Sequence, residues 1–422
     1  MQNIDQRAES IWYPFSSIKG GYPVLEVSSA EKEFLYLKNG NALIDGISSW
    51  WVNIHGHSHP EIAEAVYMQA LKLEHVIFSG FTHAPAKSLA DSLIRILPNH
   101  SKKIFFSDNG STSIEVALKM GIQLFFNQGR KKVRIVAVQG AYHGDTFGAM
   151  AVGERDAFTT PFQDLFFEVS FLPFPCGLDA SRGLELLENW VNEGDPLIFI
   201  YEPLVQGASG MRMYPAEWMN KALEITYRDF CIRIADEVFT GFGRTGSLFA
   251  SSQCKQQPDI ICLSKAITGG FFPLGATACN EKIVSAFDFE DFTTSFLHGH
   301  SFTGNPMIIA SANKSLEILL RNDTQALIEK LCHAQQNFQK ELIELGLGEH
   351  PRVLGTILAL EARGGNGSGY FNSQREAIYH FFLNRGILLR PLGRTIYFVP
   401  PYITSSESIN KVHQAIKEYL GS

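Results

Sequence analysis

The chain has 422 residues, 45% of them hydrophobic and 19% charged, with a formal net charge of −7 and a pI near 6.0. That content is enough for a large core and predicts two or three domains. The acidic balance, with no basic run, argues against nucleic acid or an anionic membrane as partner.

The opening MQNIDQRAES lacks a basic segment followed by an apolar one, and no apolar run is long enough to span a bilayer, so the cytoplasm is the expected compartment. Next come IWYPF, ending at Phe15, and SSWWVNIHGHSHP, which sets Trp50 beside Trp51. If that segment were a strand, only one of the two rings could face the core. The three histidines of HGHSHP have no carboxylate spaced to complete a metal set, and they predict a structural turn ahead of a helix.

SDNGSTSIEVALKM turns the chain into a helix, with Ile114, Ala117, Leu118 and Gly121 at helical spacing behind a Ser/Thr cap. Such an N-terminus can cradle a phosphate, with Gly110 allowing close approach and Ser111 adding a hydroxyl, or it can be a capped helix with no ligand. The runs VRIVAVQG (133–140), LIFIYEP (197–203), CIRIADEV (231–238) and DIICLSK (259–265) read as parallel strands buried on both faces. Functional groups gather at the carboxyl ends of such strands, which here carry Glu202, Asp236 and Lys265. GAYHGDT places Tyr142 and Asp145 in a glycine-flanked loop, where a ring can stack on a planar ligand or simply pack the loop.

GFGRTG at 241–246 matches a dinucleotide fingerprint, but no long apolar helix clearly follows it. The six cysteines (Cys176, Cys231, Cys254, Cys262, Cys279 and Cys332) form no CxxC pair and read mostly as small core residues. GGNGSG at 364–369 reads as a surface loop. The pattern changes after about residue 320 to a long polar helix, then VLGTILALEA, another helix and RTIYFVPPY. The expected fold is α/β: a large domain (55–320) with a mostly parallel sheet, and a smaller α+β domain (321–422) that the N-terminal segment (1–54) joins.

A lysine such as Lys265, just past an apolar strand, either snorkels its amine to water or uses it as a nucleophile that can hold an aldehyde as a Schiff base. A carboxylate such as Asp236, set against a pyridine nitrogen, keeps the ring an electron sink. Phosphate cup, ring stack, pyridinium partner and amine, in this order, describe a pyridoxal phosphate site.

Through DNGS (108–111), YHG (142–144), EPLVQG (202–207), DEV (236–238), SKAITGG (264–270) and TGNP (303–306), the chain resembles the fold-type I, class III aminotransferases over nearly its whole length. The resemblance implies that Lys265 carries the cofactor and moves the proton, Gly110 and Ser111 hold the phosphate, Tyr142 stacks on the ring, Asp236 pairs with its nitrogen, and Val238 packs on the other face. Glu202 belongs to the same cofactor set. It also implies an obligate homodimer with shared active sites, in which Gly299, His300 and Ser301 reach the neighbour's site, the serine hydroxyl touching its phosphate.

The Trp50–Trp51 pair, IWYPF and LLRPLGRTIYFVPPY narrow the resemblance to the branch serving biotin biosynthesis, where ping-pong transfer converts 8-amino-7-oxononanoate to 7,8-diaminononanoate. Trp50, Trp51, Tyr142 and the second copy's Gly299 would then line the substrate slot, and Arg390 would clamp the terminal carboxylate. Asp145 and Arg244 would join the polar network around the amino donor, with Tyr397 nearby. Phe15 stands where tyrosine is common, and the loop at 298–301 reads HGHS, so the donor is S-adenosylmethionine or lysine. Another class III ω-aminotransferase and a catalytically silent binding protein on the same fold are the competing readings.

Overall fold

Strict alternation along a few apolar strands builds the centre of the molecule. The computed structural model describes residues 8, 10–18, 22–288, 290–364 and 369–421, so the start of the chain (1–7) and most of the GGNGSG loop (365–368) lie outside the described residues. A seven-stranded sheet runs in the order Lys103–Ser107, Gly275–Cys279, Ile260–Leu263, Cys231–Asp236, Leu197–Tyr201, Arg134–Val138, Ser170–Leu172. The four anticipated strands pair in parallel at its centre. Gly275–Cys279 is antiparallel to both neighbours. Its sequence, GATAC, is built of small residues without a β-branched run, so it carries little strand signal.

Ile198, Ile200, Ile232, Ile234 and Ile260 pack on one face with helix Gly110–Asn127, while Phe199, Tyr201, Ala235, Ile261 and Leu263 pack on the other. Successive side chains of a strand point to opposite faces, so a sheet covered on both sides needs such continuous apolar runs. Each fully buried Ile or Phe contributes about 1.5–3 kcal/mol, which commits the register of these strands.

The polar helix after residue 320 is Asn322–Glu344. An antiparallel sheet follows, Glu349–Leu354, Ile357–Glu361 and Thr395–Phe398, with helices Arg375–Leu383 and Ser406–Gly421. Near the N-terminus, Val27–Glu31, Phe34–Leu37 and Ala42–Asp45 form a sheet whose fourth strand is Ile387–Leu388, paired in parallel with Ile44 and Asp45. No helix among the described residues is long and apolar enough to cross a membrane.

Candidate active site

Because strands 197–201, 231–236 and 260–263 are adjacent and parallel, their carboxyl ends bring Glu202, Asp236 and Lys265 to one edge of the sheet. A cavity of about 600 Å³ opens there, lined by all three together with Gly110, Ser111, Tyr142, Asp145, Val238 and Trp51. Sequence positions spread from 51 to 273 thus converge on one site.

Asp236 is held from two sides. Its Oδ2 lies 2.6 Å from His143 Nδ1, and its Oδ1 accepts the Val238 amide at 3.0 Å. His143 Nε2 is buried without a protein partner. Glu202 accepts the amides of Tyr142 and Gly207 at 3.0 and 2.9 Å, binding the two loops to each other. Burial first, then the nearby Asp236 charge, pushes the Glu202 carboxyl well above its usual range.

Lys265 stands at φ 43°, the left-handed region, at the start of a short 3-10 turn. Burial lowers its amine pKa, and the charges of Asp236 and Glu202 oppose that shift without cancelling it. The Nζ atom lies 4.9 Å from the Trp51 ring centroid. Tyr142 donates to Asp145; burial, reinforced by that carboxylate, drives the phenol pKa far up.

The head of helix Gly110–Asn127 makes the anion cup. Asn109 caps it by accepting the Thr112 amide, and Thr112 Oγ1 accepts the Asn109 amide in return, which leaves the Gly110 and Ser111 amides at the mouth. A Cβ on Gly110 would lie 2.8 Å from Val238, and one on Gly144 (φ 131°) would lie 2.1 Å from Ser111 Oγ. Both glycines therefore keep the cup's backbone close to its neighbours.

Above the cavity, Trp50 and Trp51 lie on neither strand nor ordinary helix. Ser48, Ser49, Trp50 and Trp51 have φ of 50°, 43°, 72° and 74°, a single left-handed turn closed by the Trp51 amide on Ile47 O at 2.8 Å. The strand alternative for this pair is thereby corrected. Left-handed geometry costs roughly 1–2 kcal/mol per L-residue, and such strain persists only where surrounding contacts over-determine it. The turn buries Trp51 against Phe239 (4.7 Å) and Tyr397 (6.1 Å) and leaves Trp50, which does not line the cavity, beside Arg390 (4.6 Å) and Phe15 (5.2 Å). Among the described residues, Arg390 Nε is buried without a hydrogen-bond partner.

Several predicted groups do not line the cavity: Phe15 and Arg390 lie against Trp50, Tyr397 lies against Trp51, and two further groups sit elsewhere. Arg244 is fully buried behind Trp51, donating to Trp51 O (3.4 Å) and Pro400 O (2.9 Å), and does not line the cavity. It ends up in GFGRTG, a stretch that runs on in turns and a short 3-10 element rather than a long helix. Gly299, His300 and Ser301 lie on a loop that does not line this chain's cavity. Sequence reasoning assigned no role to His143 or Gly144, both of which line the cavity. The signal for His143 was its place beside Tyr142, but its carboxylate lies 93 residues away.

A parallel-sheet edge carrying an amine, a carboxylate braced by histidine and a glycine-lined anion cup defines a fold-type I pyridoxal phosphate enzyme. The chain belongs to the class III aminotransferases: the profile of the family "Aminotransferase class-III" matches residues 17–420. It is 43% identical over 418 residues to an adenosylmethionine-8-amino-7-oxononanoate aminotransferase of Synechococcus elongatus, covering 97% of this chain and 98% of the relative. A relative of the same name from Helicobacter pylori is 35% identical, covering 98% and 96%. Among solved structures, an enzyme of that name from Methanocaldococcus jannaschii superposes with a TM-score of 0.90 at 31% identity, covering 97% of both chains. An amine transaminase from an uncultivated Pseudomonas species, in its PLP-bound form, matches with a TM-score of 0.89 at 26% identity, covering 98% and 99%.

The enzyme is thus an aminotransferase, and its cofactor is pyridoxal phosphate. The residues present fit that group, with an open cup at Gly110 and Ser111 for a phosphate, the Asp236 carboxylate for a ring nitrogen, and Lys265 lining the same cavity for an aldehyde.

Proposed function

We propose that the enzyme moves an amino group to 8-amino-7-oxononanoate, giving 7,8-diaminononanoate for biotin, with S-adenosylmethionine or lysine as donor. The observation that carries this reading is Arg390, whose buried Nε has no hydrogen-bond partner and whose guanidinium, 4.6 Å from the Trp50 ring, forms no salt bridge among the described residues. A planar fork there suits the terminal carboxylate of a long, otherwise apolar acceptor, with Trp50 and Trp51 as a flat lining tolerant of two dissimilar substrates.

Pyridoxal phosphate, when bound, supplies an aldehyde that takes up amines and a ring that shares the electron pair freed at the substrate carbon. The residues would do the rest. Gly110 and Ser111 would hold the phosphate with amides and a hydroxyl. Asp236, fixed by His143, would pair with the ring nitrogen, and Tyr142 and Val238 would pack against the ring. Lys265 Nζ would be the amine that holds the cofactor's aldehyde and the group that accepts and returns the proton at the substrate carbon. Its lowered pKa favours the neutral amine that such attack needs. Glu202 braces the loop beneath Tyr142, and Asp145 fixes the Tyr142 hydroxyl. Arg244 and Tyr397 serve by packing Trp51, while Phe15 edges the donor's entrance.

We further infer a cytoplasmic homodimer with shared sites, divided into domains at about 54/55 and 320/321. An exposed apolar face supports the dimer. Tyr67, Met68, Leu71, Ile77, Phe81 and Phe302 are each more than half exposed, and His75 ties the face together by meeting Ser301 O at 2.7 Å. That face includes the 299–301 loop, which a second copy would present to this cavity.

The test is a half-reaction series on the yellow pyridoxal form, adding S-adenosylmethionine, lysine or ornithine separately. One of the first two is expected to discharge the visible absorbance, and 8-amino-7-oxononanoate to restore it. Discharge by ornithine alone would overturn the biotin reading.

A further inference from the structure

The histidines after the tryptophans are left without a task by the cofactor site. Asn53 Nδ2 donates to His57 Nδ1 at 2.9 Å, which puts the ring proton on Nε2, and Nε2 donates to Asp45 Oδ2 at 2.8 Å. The His57 and Asp45 side chains are 11% and 0% exposed. The same carboxylate accepts the Ser49 hydroxyl at 2.9 Å and the Ile47 amide at 3.2 Å. One acid therefore ties together the entry, the middle and, through His57, the exit of the left-handed turn. Asn53 also presses on the chain just after Lys265: a Cβ on Gly270 would come within 3.1 Å of Asn53 Cα.

We propose that Asp45, His57 and Asn53 are positioning residues for the transamination, holding the Trp51 ring over the Lys265 amine and seating the glycine pair behind it. None of the three lines the cavity, so they act only through Trp51 and the Lys265 turn. The proposal rests on Lys265 being the reactive amine. A strained turn relaxes when its ties are cut. Relaxation here swings an aromatic ring away from an amine whose placement must hold to within about an ångström.

The test uses full-length holoenzyme carrying His57→Leu, His57→Gln or Ser49→Ala. Glutamine keeps an N–H for Asp45, and leucine keeps none. His57→Leu is expected to lower kcat about tenfold or more, to weaken the circular dichroism induced in the bound cofactor, and to shift the tryptophan emission of the cofactor-free protein. His57→Gln should restore all three substantially. A folded leucine variant with a lower thermal midpoint but unchanged kcat, dichroism and emission would show a merely structural role and overturn the proposal, as would a folded glutamine variant that rescues nothing. Should the leucine variant not fold, Ser49→Ala decides: a smaller fall in kcat with the same change in dichroism supports the proposal, and no change in either overturns it. Failure of the Lys265 reading would instead appear in the unmutated protein, as borohydride labelling of a different lysine.

Discussion

In the proposed site, Lys265, Gly144 and Arg390 would each carry one separable demand. Gly144 combines a φ of 131° with direct contact on Ser111, so Gly144→Ala places a methyl where the cup closes. Cofactor affinity is expected to fall about tenfold or more, since the helix head proposed to bind the phosphate must shift. Equilibrium titration of the cofactor's absorbance measures this, and unchanged affinity would remove Ser111 from the cup. Arg390→Met should leave the donor half-reaction close to normal while raising KM for 8-amino-7-oxononanoate. Losing a charge-assisted pair of about 1.5–3 kcal/mol corresponds to roughly ten- to a hundredfold. Equal loss in both half-reactions would place Arg390 outside acceptor recognition. Phe15→Tyr returns a hydroxyl beside Trp50 and should shift preference between S-adenosylmethionine and lysine; an unchanged donor profile would exclude Phe15 from donor choice.

Among elements, legibility followed how local the cause was. The central strands could be read because a two-face-buried strand must be largely apolar, and the positions at or just past their ends are Glu202, Asp236 and Lys265. The helix beginning at Gly110 could be read from its apolar spacing, but its cap is Asn109 rather than the expected Ser or Thr. Asn109→Ala should cost about 1 kcal/mol in a denaturant melt and loosen the cup, while no loss would mean that tertiary contacts alone hold the helix start. The Trp50–Trp51 turn could not be read, because nothing in SSWW favours left-handed backbone. The turn is imposed by Asp45, by Val399 O accepting the Ser48 hydroxyl, and by the buried Arg244. Arg244 was legible as important, but its task depends on Pro400, 156 residues away.

At the scale of the whole molecule, two consequences follow from what is buried. His55, bonded to Ser315, and His413, stacked on Phe338 at 3.9 Å, both have their pKa lowered to about 3 from an ordinary 6.5, chiefly by desolvation. Between those pH values the unfolded chain binds protons that the folded chain refuses, so stability falls as pH drops from 6.5 toward 3. Replacing His413 with leucine should flatten that acid slope in melts across this range, and an unchanged slope would contradict the assignment. The shared sites proposed above predict complementation: mixed dimers of Lys265→Ala and a variant altered at Ser301 should regain activity that neither parent has, because one site in each mixed dimer would be intact. No recovery on subunit exchange would mean that each chain works alone.

Everything above turns on one amine. Borohydride reduction of the yellow holoenzyme, followed by peptide mapping, tests it directly. The account predicts that the reduced cofactor is fixed to the peptide containing Lys265, and that Lys265→Ala yields no fixed cofactor at all. Label on any other lysine of the native protein, or protein that never takes up the cofactor's colour, would contradict it.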